Sequence, residues 1–112
     1  MTGQVLYTVT VSFQDPTIAE EWEDWMRRGH MQALLASGAL RAELVRWSDP
    51  DEDGPAIHMT AHYVFPDQDT LDTYIRDHAP ALREDGLQRF PTTRGIEYSR
   101  RIGAVHHPII HE

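Results

Sequence analysis

Cysteine and lysine are missing from this chain, and each absence closes off a chemistry. With no cysteine among the 112 residues, thiol catalysis, disulfides and thiolate metal sites are excluded. With no lysine, all 10 basic residues are arginine, so Schiff-base catalysis through a lysine is excluded as well. Positive charge is scarce overall, because 18 acidic residues leave a formal net charge of −8. A nucleic-acid or anionic-membrane surface needs basic residues gathered on one face, and this composition argues against both partners. Long apolar runs are wanting too. No segment approaches the ~20 residues of a membrane span, and the opening MTGQVLYTVTVSF lacks the basic region and apolar run of a signal peptide. A cytoplasmic location is the expectation.

What is present reads as a single small domain over 1–112, with a core at 4–105 and a tail at 106–112. At this size a partner subunit is a natural way to bury more apolar surface. Residues 4–13, QVLYTVTVSF, alternate with period two and predict a strand. Asp15-Pro16-Thr17 offers a turn and a capping oxygen, and Glu20, Glu21, Glu23 and Asp24 favour a helix dipole, so a helix begins near Pro16. Ser37-Gly38 ends it. LRAELVRW (40–47) and AIHMTAHYVF (56–65) read as a hairpin around the acidic loop SDPDEDGP. Asp67 to Thr70 offers another cap before a second helical region at 70–90, and GIEYSRRIGAV (95–105) closes as a fourth strand.

The order β-α-β-β-α-β predicts an α+β, ferredoxin-like layer: a four-stranded antiparallel sheet with two broken helices across one face. Val5, Tyr7, Val9, Met59, Ala61 and Tyr63 then point to the helices. Leu6, Thr8, Val45, Trp47, His58 and His62 share the opposite face, which is too apolar for water and too polar for a dry core. A second copy packed sheet to sheet resolves this, so a homodimer through the sheet face is expected.

Both helical regions carry an interruption beside a histidine. At about 100° per residue, Ile18, Trp22, Trp25, Met26, Gly29 and Ala33 form one stripe, whereas Met31, Leu34 and Leu35 fall nearly opposite. Burying both sets requires a bend or restart, and Gly29 can absorb it, leaving His30 at the junction. In the second region Leu71, Tyr74, Ile75, His78 and Leu82 share a stripe, and Pro80 breaks the helix beside His78. MRRGHMQAL (26–34) and YIRDHAPAL (74–82) echo each other at an offset of 48 residues, as the pseudo-twofold of this topology allows. On that symmetry the two histidines lie far apart.

The combination of VLYTVTV, EEWEDWM followed by His30, LLASG and HAPALR with RF at 89–90 resembles an uncharacterised group of small bacterial proteins, a domain of unknown function placed among the dimeric α+β barrels. The likeness runs from residue 4 to about 105 and is carried by the W-x-x-W-M-x-x-x-H run and A-P-x-L. It implies fold and dimerisation, with no established activity. Distant kin of that barrel class include cofactor-free monooxygenases and haem-degrading enzymes, so the fold selects no chemistry. Similar proteins often have proline where this chain has Gln32 and histidine where it has Gly86.

The candidate binding residues are His30, Trp22, Trp25, Tyr63 and His78. His30 is also the candidate acid/base group, against the plainer role of a helix-end histidine holding the bend. Trp22 and Trp25, at helical spacing, read first as core. His58 and His62 lie ~13 Å apart along one strand, too far to hold one metal, and the tail histidines His106, His107 and His111 lack an acidic frame, so no metal is expected. No cofactor is expected either. Three functional readings are open: a dimeric barrel that binds a small molecule or partner without established catalysis; a cofactor-free monooxygenase- or isomerase-like enzyme using a pocket near His30, which needs a cavity of roughly 300 Å3; and haem binding through His78.

Overall fold

The computed structural model describes residues 3–48 and 56–106. Its strands are β1 (Val5–Phe13), β2 (Arg41–Arg46), β3 (Ile57–Phe65) and β4 (Ile96–Ala104), and its α-helices are α1 (Pro16–Trp25), α2 (Met31–Ala36), α3 (Gln68–Asp77) and α4 (Ala79–Arg89). One antiparallel sheet runs in the order β2-β3-β1-β4, the ferredoxin-like arrangement the sequence predicts. The acidic loop at 49–55 and the tail from His107 lie outside the described residues.

Period-two alternation sets the two faces. Val9 lies opposite Ala61 and Arg100, and Leu44 opposite Ala61, so one continuous row of side chains faces the helices. That side supplies the centre of the core: Val11, Phe13, Met59, Ala61, Phe65 and Ile96, each almost wholly buried. On the other side, Thr8 pairs with His62 and Arg101, and Leu6 with Val64. There the Trp47 indole Nε1 donates to Thr60 Oγ1 at 2.8 Å, Thr60 Oγ1 lies 3.0 Å from Thr10 Oγ1, and Ser12 Oγ lies 2.7 Å from His58 Nδ1. This face is thus a cross-strand polar weave between half-buried Leu6, Val45 and Val64, with Trp47 48 % exposed.

Helix termini form where the sequence places them. Asp15 Oδ1 accepts from Thr17 N at 2.8 Å, with Pro16 in the first turn, and Asp67 Oδ1 accepts from both Thr70 N and Thr70 Oγ1. The first helical region does restart. Met26–His30 is one wide π-helical turn in which Met31 N–H reaches the carbonyl of Met26, and Gly29 leaves helical geometry at φ 170, ψ −38. One extra residue in this turn rotates the next helix by about 100°. Met31 and Leu34 therefore reach the core, while Gly29, read as part of the first stripe, is exposed. Leu35 is 41 % exposed, contrary to its expected burial, because α2 is only six residues long and Met31 and Leu34 already fill its inward side. The second region breaks at His78, as predicted, but His78 is itself exposed and not part of the Leu71–Tyr74 stripe, because it caps α4 outside regular helix geometry (φ −120, ψ −39). No helix among the described residues is long and apolar enough to cross a membrane.

The turn after α2 is a Schellman cap. Ala39 N–H bonds to Leu34 O at 3.1 Å and Gly38 N–H to Leu35 O at 3.2 Å, with Gly38 at φ 117. A Cβ there would also strike the Thr70 methyl at the start of α3. Gly38→Ala is expected to lower stability by about 2 kcal/mol, read as a drop in the urea midpoint with unchanged slope; a wild-type midpoint would contradict this assignment.

Candidate functional site

The wide turn has a local consequence for the aromatic residues. In a regular α-helix, residues five apart sit about 140° apart around the axis. Here Trp25 and His30 lie on the same side, stacked with ring centroids 4.3 Å apart and planes inclined by 27°. Trp25 also meets Phe90 at 5.6 Å, and Trp22, 2 % exposed, packs on Phe13 at 5.3 Å. Gly86 on α4 lets that helix approach the Trp25 ring closely, since a Cβ would lie 3.3 Å from its Cη2.

Between this junction, α4 and the sheet lies a recess. It holds about 50 Å3 into which the centre of a water molecule fits, within about 520 Å3 of interatomic space that includes the open mouth. By the same measure one water needs roughly 10–15 Å3, so several waters or a small organic group fit inside. All four tyrosines of the chain, Tyr7, Tyr63, Tyr74 and Tyr98, line it. So do Trp22, Trp25 and His30 from the first helical region, Arg83, Gly86 and Leu87 from α4, and Arg100 from β4. Exposed Leu87 and Arg100 mark the mouth.

Four of the five sequence-predicted residues thus come together: His30, Trp22, Trp25 and Tyr63. His78 is exposed and is not among the lining residues. His58 and His62 sit on the opposite sheet face, and the described residues contain no group of three or more His, Asp or Glu side chains able to hold a metal.

Sequence reasoning missed Tyr7, Tyr74, Tyr98, Arg83 and Arg100 as site residues. A signal for one of them lay in the periodicity. Ile96, Tyr98 and Arg100 alternate onto the helix-facing side, so a charged side chain was being sent towards the core. No periodicity distinguishes Arg83 from a surface helix residue, although it closes the HAPALR run that carries the family resemblance.

Among the described residues, three buried side-chain atoms have no hydrogen-bond partner: His30 Nδ1, Tyr63 OH and Arg83 Nε. All three residues line the recess. The other tyrosine hydroxyls with identified partners are used internally, Tyr98 OH donating to Phe90 O at 2.7 Å and Tyr7 OH accepting from Arg83 Nη2 at 3.2 Å. Burial raises the Tyr63 and Tyr74 phenols well above the usual range, with neighbouring tyrosines adding to the effect, and Arg83 and Arg100 pull Tyr74 back. Both phenols stay protonated donors. Burial also drives His30 from 6.5 down to about 4, with Asp85 opposing the change and Arg100 reinforcing it. His30 is therefore neutral at pH 7, with one nitrogen donating and the other accepting.

The family model described as Domain of unknown function (DUF4286) matches residues 4–99. No curated protein sequence matches the chain. Among solved structures, a dimeric ferredoxin-like protein from an uncultured marine organism is similar over 96 % of this chain and 99 % of its own, at 14 % identity and a TM-score of 0.67. A monooxygenase from the gene ActVA-Orf6 of Streptomyces coelicolor, in complex with the ligand nanaomycin D, shares 14 % identity over 98 % of this chain and 94 % of its own, with a TM-score of 0.66. SnoaB, a cofactor-independent oxygenase from Streptomyces nogalater, shares 16 % identity over 97 % of both chains, with a TM-score of 0.59. At such identities the likeness is one of fold.

The depressed His30 value carries a stability signature. Between pH 6.5 and about 4 the unfolded chain binds a proton that the folded chain refuses. This contribution is therefore fully present above pH 6.5 and is lost as pH falls through that window, by about 3 kcal/mol in total. Denaturant titrations of wild type and His30→Gln from pH 7.5 to 4.5 test this. The wild type is expected to lose stability more steeply on acidification; parallel curves would show that His30 is not held neutral by burial.

Proposed function

The chain belongs to this family of unknown function, and we propose that it is a homodimeric protein that binds a small molecule in the recess between the helix junction and the sheet. One observation carries the reading: three buried polar atoms without partners belong to residues lining one aromatic recess. A buried donor or acceptor left unpaired costs about 1–3 kcal/mol, and these three belong to residues of one recess, where a ligand that reached them would offset that cost. Trp25, Tyr7 and Tyr98 add the apolar walls that small-molecule sites typically have.

The homodimer belongs to the same proposal. Among the described residues no helix covers the face of Leu6, Val45, Val64 and Trp47, and its Trp47–Thr60–Thr10 weave suits a seam in which polar groups are satisfied within and across copies. The structural neighbour described as a dimeric ferredoxin-like protein supports this arrangement.

The oxygenase-like alternative would use His30 to take a proton from substrate. One observation favours binding over that chemistry: a histidine held at about 4 is a weak base at neutral pH.

Thermal-shift screening against a broad panel of small metabolites tests the reading. A binder present at about 100 times its dissociation constant adds about 2.7 kcal/mol, a rise of roughly 10 °C for a domain of this size. Gly86→Leu, which places a side chain against Trp25 in the recess, is expected to abolish the rise while retaining the folded far-ultraviolet spectrum. A panel without any binder, or one that shifts the variant equally, would overturn it.

A further inference from the structure

The charge around the recess is opposite in sign to that of the chain. The protein carries a net charge of −8, yet two arginines and no aspartate or glutamate line this space. Among the described residues, Arg27, Arg41, Arg76, Arg89 and Arg94 pair with carboxylates; Arg83 and Arg100, like Arg28, Arg46 and Arg101, form no such pair among those residues, and of these five only Arg83 and Arg100 line the recess. The nearby acid, Asp85, is engaged by Arg89 at 3.2 Å. Arg83 spends one nitrogen on Tyr7 OH, and Arg100 lies 6.0 Å from the Tyr98 ring centroid.

The unpartnered atoms have a matching polarity. Arg83 Nε can only donate, the Tyr63 hydroxyl is held protonated, and neutral His30 can offer a proton at Nδ1 in one tautomer. A site rich in donors, with positive charge and no acid, selects acceptor oxygens bearing negative charge. The recess is small, about 50 Å3, and partly open to solvent, so only a compact head group fits within it while a flat apolar body lies against the rings.

Resting on the reading of the recess as a ligand site, we propose that its ligand is an organic carboxylate with a flat, aromatic body: the carboxylate lies against Arg83, Tyr63 and His30, and the body leaves past Trp25, Gly86 and Leu87. Arg100 at the mouth attracts the anion and neutralises it on entry. Arg83 is then the residue that decides charge specificity.

Proton–nitrogen NMR titration of the full chain with benzoate, benzyl alcohol and benzylamine, three probes of similar size and different charge, tests this. Benzoate is expected to shift the Trp25 indole and the amides of His30, Arg83 and Gly86, and to bind at least about tenfold more tightly than benzyl alcohol. Arg83→Gln is expected to erase that preference, and Arg83→Lys to restore part of it. Arg100→Gln, at an exposed position that folding tolerates, is expected to weaken benzoate alone by a smaller factor. Benzyl alcohol or benzylamine binding at the same residues as tightly as benzoate would overturn the carboxylate assignment and leave the ligand site standing. If none of the three moves these resonances, the carboxylate assignment and the ligand site both fail.

Discussion

A four-stranded sheet has two faces, and the described residues of this chain supply helices for only one of them. That constraint organises the rest of the structure. Strict alternation sends Val11, Phe13, Met59 and Phe65 to the helix side, where they make the core, and sends Leu6, Thr8, Thr60 and His62 to the other. A single four-stranded layer with one bare side leaves Trp47 and its apolar neighbours facing solvent. The polar weave across β1 and β3 keeps that side hydrogen-bonded without making it hydrophilic. The two faces therefore serve different ends: one holds the fold together and keeps a recess, and the other is suited to a second copy.

The recess comes from the same layer meeting an irregular helix. A straight helix over Pro16–Ala36 would keep one stripe on the sheet and turn Met31 and Leu34 outward. One residue inserted at Met26–His30 rotates the next helix inward, and in doing so brings His30 onto Trp25. The sheet answers with residues too large and too polar to close the gap, Tyr7, Tyr63, Tyr98 and Arg100, while Gly86 leaves α4 without a side chain at the nearest point. Core and site are thus continuous: the aromatic cluster of Tyr7, Tyr74 and Phe65, with centroids 5.6–5.9 Å apart, is at once packing and wall. Net electrostatics obey the same division. The acidic surplus lies outside the recess, and two unpaired guanidiniums lie along it.

Much of this was legible in the sequence because it depends on periodicity. The strands fall within one residue of the expected bounds, the face assignment of each holds, and the conflict between the Trp22–Met26 stripe and Met31–Leu34 located the helix break. Capping residues Asp15 and Asp67 were readable for the same local reason. The site was only half legible. His30, Trp22, Trp25 and Tyr63 could be proposed because they cluster in sequence or share a face, but Arg83 meets Tyr7 across 76 residues, a contact that no local pattern encodes. Leu35 and His78 show the opposite limit: both fit an ideal stripe, and both are exposed because short or broken helices do not present a full stripe to the core.

Assigning the bare face to a second copy is the step on which the two-faced account turns. Sedimentation velocity at micromolar protein tests it most directly, with iodide quenching of Trp47 as a companion readout. A single species at twice the chain mass of 12.9 kDa, with a shielded Trp47 and conversion to monomers on Val64→Asp, is the predicted result. A 12.9 kDa species whose Trp47 is freely quenched would contradict it.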